Sequence, residues 1–303
     1  MIQAHSNSTY VGRFAPSPTG PLHIGSLLTA IASFADARSR GGKWLLRMED
    51  IDPPREMAGA ADGILQTLHH YGLQWDDDVL YQSQRHARYE SAVQLLLQQG
   101  QAFYCTCSRS QIAANSGSTT YPGTCRGCTT PPDQPHAIRL LVSNDDIEFT
   151  DLLQGPLHCN LQQQSGDFVI KRKDGLYAYH LAVVLDDADQ GITHIVRGSD
   201  LLESTFSHWH LQNVLALCHP SYAHLPVIVN AQGQKLSKQT YAEPIPITEP
   251  SPYLLYCLKA LGQQPPSSLA GAAAKTILDW ACEHWQLPQV PHQRSLPQSP
   301  LSK

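Results

Sequence analysis

The sequence predicts an α/β fold. A parallel sheet carries crossover helices, a cysteine-bearing segment is inserted, and a small helical region follows. Three observations predict it. Residues 10–71 alternate short apolar runs with segments of helical apolar spacing, the order expected of a parallel sheet. Between about 104 and 135 that periodicity disappears, and Cys, Ser, Thr, Gly and Pro dominate. Beyond residue 250 two helical patterns appear with no strand between them.

Taken in order, residues 10–15 are a short apolar-rich strand running into a Pro/Ser/Gly turn. Then Ile24, Leu27, Leu28, Ile31 and Phe34 recur at helical spacing, and Gly41-Gly42 stop the helix. Residues 43–48 read as a second strand, closed by Glu49-Asp50 and the breaker Asp52-Pro53-Pro54. Helices follow over 57–71 and 87–99, ended by Gly72 and Gly100. Past the cysteine segment, strands resume at 136–142 and 168–173, the latter meeting an Asp174-Gly175 turn. Residues 179–188 are helical, 192–196 a strand, 211–217 helical and 226–230 extended. Helices over 253–261 and 269–285 come last, and the Pro/Gln/Ser-rich stretch 286–303 reads as a disordered tail. The expected organisation is a Rossmann-type domain in two halves, 1–103 and 136–240. A metal-binding insertion (104–135) divides it, and a helical region (241–285) and the tail follow.

Composition narrows the classes. The 303 residues are 42% apolar and 16% charged, as in ordinary globular proteins. A net charge of −5 gives no global attraction to nucleic acid, so any such contact is a local basic patch. No apolar run nears the roughly 20 residues that span a bilayer, and residues 1–10 lack a signal-peptide stretch. A cytosolic location is the expectation, and the eight cysteines then read as metal ligands or buried thiols rather than disulfides.

Two short strings carry chemistry. In Arg13-Phe14-Ala15-Pro16-Ser17-Pro18-Thr19-Gly20-Pro21-Leu22-His23-Ile24-Gly25-Ser26 a strand enters a helix through Pro and Gly. The helix N-terminus offers backbone N–H groups and partial positive charge to a triphosphate. Gly25 leaves room for close approach, and His23 and Ser26 can donate to phosphate oxygens. Lys235-Leu236-Ser237-Lys238, after a Gln232-Gly233 turn, sets two ammonium groups three residues apart. That suits charge moving onto a leaving pyrophosphate.

Together the strings resemble the two ATP-handling motifs of class I aminoacyl-tRNA synthetases. Arg13 to Gly20 followed by Leu22-His23-Ile24-Gly25 is similar to the glutamyl-tRNA synthetases and their shortened relatives. Ser26 in place of a second histidine, Gln239 after the lysine loop, and Asp52-Pro53-Pro54-Arg55-Glu56 resemble the shortened branch, the glutamyl-Q tRNA(Asp) synthetases. The resemblance spans most of residues 10–240. It implies ATP contacts from His23, Gly25, Ser26 and Lys238, with His23, Lys235 and Lys238 catalytic.

A glutamate pocket needs fixed cations for two carboxylates and an anion for the ammonium. Arg13 and Arg197 end predicted strands, as does Glu49, and Tyr179 adds a phenol; ligands gather at such strand ends. The resemblance assigns the same set: Arg13, Phe14, Ala15, Pro16 and Ser17, with Glu49, Tyr179 and Arg197. Mg²⁺ is expected with ATP, although the sequence shows no dedicated site for it.

Cys105-Thr106-Cys107 and Cys125-Arg126-Gly127-Cys128 bracket a polar loop, and four thiolates would satisfy one structural Zn²⁺. The family pattern instead implies Cys105, Cys107, Tyr121 and Cys125, leaving Cys128 as the rival to Tyr121. Only 239–303 follows the lysine loop, little for an anticodon-gripping domain. The resemblance therefore implies transfer of glutamate to the queuosine base of tRNA(Asp), by a monomer. A truncated conventional glutamyl-tRNA synthetase and a non-catalytic tRNA-binding paralogue are the alternatives. Arg38, Arg40, Lys43 and Lys171-Arg172-Lys173 are candidate phosphate contacts. One departure stands out: after Ser204-Thr205 the family continues P-R-Q, and this chain has Phe206-Ser207-His208-Trp209.

Overall fold

β1 (Val11–Phe14) passes through the Pro/Gly turn into α1 (Ile24–Ser39), and the chain returns as β2 (Lys43–Met48), parallel to β1 with Val11 opposite Lys43. The computed structural model describes residues 9–230, 232–236 and 243–298. α2 (Ala60–His70) crosses to β3 (Asp76–Tyr81), parallel to β2. α3 (His86–Gln98) leads into β4 (Ala102–Cys105), after which comes α4 (Arg109–Ser116), capped by the Ser108 hydroxyl. β5 (Ala137–Leu140) pairs antiparallel with β4. The cysteine segment thus leaves on one strand and returns on its neighbour.

β6 (Asp146–Asp151) and β7 (Gly155–Asn160) form a hairpin. After α5 (Leu161–Gln164), β8 (Val169–Lys171) adds antiparallel to β5. α6 (Tyr179–Asp189) brings the chain back to β9 (His194–Gly198), and α7 (Leu202–Val214) to β10 (Ser221–Leu225), parallel to β9. β11 (Val227–Val229), α8 (Pro250–Ala260), α9 (Ala274–His284) and β12 (Ser295–Pro297) complete the order.

Thr193 joins the two parallel ladders. Its N–H donates to the Val11 carbonyl at 2.9 Å, and its Oγ1 accepts from the Val11 N–H at 2.9 Å. Tyr10, one residue earlier, accepts from Lys43 on the other side. The strand order therefore reverses at β1, with β2 and β3 on one flank and β9 and β10 on the other. The carboxyl ends at such a reversal form the ligand crevice of open α/β sheets.

α1 is buried on nearly every side, because α8 and α9 pack on the face that the sheet leaves open. An all-round apolar helix is the signature of such a place. A second apolar cluster joins α3, α6 and α7 to β5 and β6.

Several elements escape the sequence pattern. β3 opens with Asp76-Asp77-Asp78. The first two pair at the edge, Asp76 accepting from Arg38 at 2.6 Å and from the Trp44 N–H at 2.8 Å, and Asp77 from Lys43 at 2.9 Å. α7 begins at Leu202, well before the expected 211, since its inward face carries Thr205, His208 and Gln212 among the apolar residues. The expected disorder of 286–303 is corrected over 286–298. Leu287 and Val290 are buried there, and β12 pairs parallel with β11. Few but well-spaced apolar side chains anchor a stretch whose composition looks polar.

Candidate active site

A cleft of about 510 Å³ opens at the strand reversal. It is lined by the described residues expected to hold ATP and glutamate, from β1 and the turn after it, the α1 N-terminus, the residue following β2, α6, β9 and the segment after β11. Lys238 lies outside the described residues, as do Ser237 and Gln239.

The α1 N-terminus forms one wall. His23 is its N-cap, with Nδ1 accepting from the Ser26 N–H at 3.3 Å and Nε2 3.2 Å from Ser26 Oγ. A Cβ on Gly25 would stand 3.2 Å from that ring, so glycine keeps the mouth open. Ile245 donates to the Leu22 carbonyl at 3.0 Å, tying this turn to the chain beyond the lysine loop. At the rim, Lys235 Nζ meets Asp200 Oδ2 at 2.5 Å.

The floor is a buried charge network. Arg13 and Arg47 both donate to Asp187 Oδ1, at 3.1 and 2.8 Å, and all three side chains are buried. Burial works to raise the Asp187 pKa, but the two guanidiniums outweigh it and hold the group below its ordinary value. Arg47 also stands 3.5 Å from Glu49. For Glu49 burial wins over Arg47 and Arg13, so its pKa is raised. Burial likewise pushes the Tyr179 phenol up to about 12.

Arg197 is different. It is 3% exposed, and among the described residues no carboxylate lies within ion-pair reach of it. Its hydrogen-bond partners among the described residues are all neutral: His224 Nε2 at 3.1 Å, Thr205 Oγ1 at 2.8 Å, the Leu201 carbonyl at 3.3 Å, and His208 Nδ1 and the Tyr179 hydroxyl at 3.4 Å. Burial, then the Arg197 charge, drives His208 well below its ordinary pKa and His180 to about 4. A buried cation held only by neutral groups is costly unless an anion arrives, and this one lines the cleft.

In the insertion, the thiols of Cys105, Cys107 and Cys125 lie within 4.8 Å of one another. The Tyr121 hydroxyl stands 3.4 Å from Cys105 Sγ, and Cys107 and Cys125 Sγ are 3.5 Å apart. Four donors about 2.3 Å from one centre would lie about 3.8 Å apart at tetrahedral angles, so the spacing fits a metal. Cys128 is exposed and outside the cluster. Gly166, with φ +67°, backs the site: a Cβ there would come within 2.3 Å of the Tyr121 carbonyl oxygen.

The candidate phosphate contacts already have partners. Arg38, Arg40 and Lys43 meet Asp76, Asp36 and Asp77. Lys171 meets Glu90, Arg172 meets Asp52 and Asp174, and Lys173 donates to the Thr106 carbonyl. The sequence reading missed Asp187, Arg47, Thr205, His224 and Asp151. Apart from Thr205, which adjoins the departure at 206–209, none belongs to a short motif.

The family described as "tRNA synthetases class I (E and Q), catalytic domain" matches residues 10–245. The glutamyl-Q tRNA(Asp) synthetase of Ectopseudomonas mendocina is 50% identical over 97% of this chain and 99% of its own length. The chain belongs to the glutamyl-Q tRNA(Asp) synthetases of the class I (E and Q) family. It is accordingly a ligase. The glutamyl-Q tRNA(Asp) synthetase of Pseudomonas aeruginosa strain PAO1 is 49% identical, covering 97% of this chain and 99% of that one. Among solved structures, the glutamate-tRNA synthetase of Elizabethkingia anophelis superposes with a TM-score of 0.79 at 26% identity, covering 96% of this chain and 68% of the other. ATP, glutamate and tRNA are the substrates of such a synthetase. Among the described residues no helix is long and apolar enough to cross a membrane.

Proposed function

We propose that this ligase activates L-glutamate with ATP and transfers the glutamyl group to the queuosine base in the anticodon of tRNA(Asp). One observation carries the amino-acid half: Arg197, a buried cation whose partners among the described residues are all neutral, faces a cleft that also holds Glu49 and Arg13. A substrate carboxylate supplies the missing charge.

The α-carboxylate of glutamate attacks the α-phosphorus of ATP in line, and pyrophosphate leaves. That carboxylate loses its charge on becoming an anhydride. A permanent buried cation therefore suits the side-chain carboxylate, and Arg197 takes it. Glu49 takes the α-ammonium, Tyr179 adds a hydroxyl, and the Arg13–Ser17 backbone shapes the pocket. His23, Gly25 and Ser26 at the α1 N-terminus receive the phosphates. Lys235 and Lys238 stabilise charge on the leaving pyrophosphate. Mg²⁺ bound with ATP neutralises further phosphate charge. A tRNA hydroxyl then attacks the activated carbonyl carbon, and AMP leaves. Positioning and electrostatics suffice, with no enzyme nucleophile.

Cys105, Cys107, Tyr121 and Cys125 hold one structural Zn²⁺ in the insertion, 104–135. A monomer in the cytosol is the acting form. The acceptor rests on relatives about half identical over nearly their full length. Labelled glutamate offered with tRNA(Asp), with and without queuosine, tests it. Label only on the queuosine form is expected; equal labelling of both, as a conventional glutamyl-tRNA synthetase would give, refutes it. No glutamate-dependent ATP–pyrophosphate exchange would leave only a binder.

A further inference from the structure

The carboxylate site has a second layer. His224 stands directly opposite Arg197 in the β9–β10 ladder, and its Nε2 lies 3.1 Å from Arg197 Nε. On the other side of the ring, His224 Nδ1 is 2.6 Å from Asp151 Oδ2. Both side chains are fully buried. The other oxygen of Asp151 accepts the backbone N–H groups of Leu153 and Gln154 at 2.9 Å and of His224 at 3.2 Å.

These contacts fix the proton. Asp151 Oδ2 can only accept, so Nδ1 carries the hydrogen. Nε2 is then a lone pair, as the Arg197 N–H requires. Thr205 fits the same assignment: its hydroxyl accepts from Arg197 at 2.8 Å and can pass its own hydrogen to the Leu201 carbonyl at 3.3 Å. We propose that Asp151 and His224 are positioning residues for glutamate recognition: Asp151 sets the His224 tautomer, and His224 aims the Arg197 guanidinium at the substrate carboxylate. Neither lines the cleft, so both act through Arg197. The neutral ring holds the cation without competing for it as a carboxylate would, which leaves its charge for the ligand. This inference rests on Arg197 binding the carboxylate.

Asp151→Asn isolates the tautomer. The amide oxygen keeps the three backbone contacts, while the amide nitrogen faces Nδ1 as a donor. The ring hydrogen moves to Nε2, toward the Arg197 N–H and Thr205. Glutamate-dependent ATP–pyrophosphate exchange should show the KM for glutamate raised about tenfold or more, as for a lost hydrogen bond to a charged group, with the KM for ATP unchanged. His224→Gln keeps an acceptor near the Nε2 position but has no tautomer. It should lose less than His224→Leu, and adding Asp151→Asn to it should cost little more. A purely structural role would instead move the KM for ATP along with that for glutamate. Nitrogen-15 NMR of the unaltered enzyme should show the His224 hydrogen on Nδ1. A hydrogen on Nε2, or a folded Asp151→Asn enzyme with ordinary glutamate KM, overturns the inference. Arg197→Ala separates the layers. If it leaves the glutamate KM unchanged, the carboxylate reading itself falls; if it raises the KM while Asp151→Asn does not, only the second layer falls.

Discussion

Replacing Asp187 by Asn would test the charge network under the cleft. The side chain keeps its shape, so no cavity opens and the loss is electrostatic. Two buried guanidiniums, 3.1 and 2.8 Å away, would face a neutral amide. Breaking a buried ion pair from one side costs about 3–5 kcal/mol. The lower end applies, about 3 kcal/mol, because the amide oxygen still accepts one N–H. At roughly 2 °C per kcal/mol for a chain this long, the melting temperature should fall by about 6 °C. Arg47 also reaches Glu49, so the glutamate KM should rise together with the stability loss. The acid limb gives a second handle. The folded pKa of Asp187 lies below its unfolded value, so its contribution is complete above the unfolded value of about 4 and fades as pH falls through the folded one. The Asn variant should lack that part of the acid limb. Calorimetry at pH 7 and across the acid range reads both effects. A melting temperature within about 1 °C of the parent enzyme, less than 0.5 kcal/mol, would refute the claim that Asp187 anchors Arg13 and Arg47.

Other expectations follow from single features. Glu49 has a raised pKa and must be ionised to hold an ammonium, so the glutamate KM should climb as pH falls through that raised value; Glu49→Gln should bind poorly at every pH with that dependence gone. Metal analysis should find Zn²⁺ retained in Cys128→Ala and lost in Cys105→Ser, and retention in Tyr121→Phe beside loss in Cys128→Ala would reverse the ligand assignment. Lys235→Ala should lower kcat for pyrophosphate exchange about 10²-fold, the scale of one lost transition-state donor, with the glutamate KM little changed. Deleting 293–298 removes the strand that accepts the Val227 N–H and donates to the Val229 carbonyl; the KM for ATP should rise, and an unaltered value would mean that β12 does not steady the lysine loop.

Wherever local spacing sets the structure, the sequence was legible. β2 begins and ends where its apolar run does, and α1 follows its apolar residues to within a residue or two at either end. The charged residues lining the cleft were legible for a related reason: Arg13, Glu49 and Arg197 sit at strand ends, where chain direction alone aims them. The groups that hold those residues from behind were not. Asp187 meets Arg13 across 174 positions, and Asp151 meets His224 across 73. No local pattern encodes such a pairing. The β6–β7 hairpin was missed because only Phe149 and Asp151 along β6 are buried, too few for a visible alternation. At 206–209 the departure resolves into packing. Phe206 is buried against Phe149, Trp209 stacks on the same ring at 5.3 Å, and His208 turns to Arg197.

β12 also bears on how the enzyme comes into being on the ribosome. The segment leading into the lysine loop is held by a partner strand that is translated more than sixty residues later. During synthesis the sheet, the α1 turn and the Arg197 site can all assemble while β11 still waits with one edge bare. The β11 edge is therefore among the last parts of this polypeptide to be completed, and a transcript or ribosome that stops short of codon 295 would yield a chain in which the surroundings of Arg197 can order while β11 lacks its partner strand.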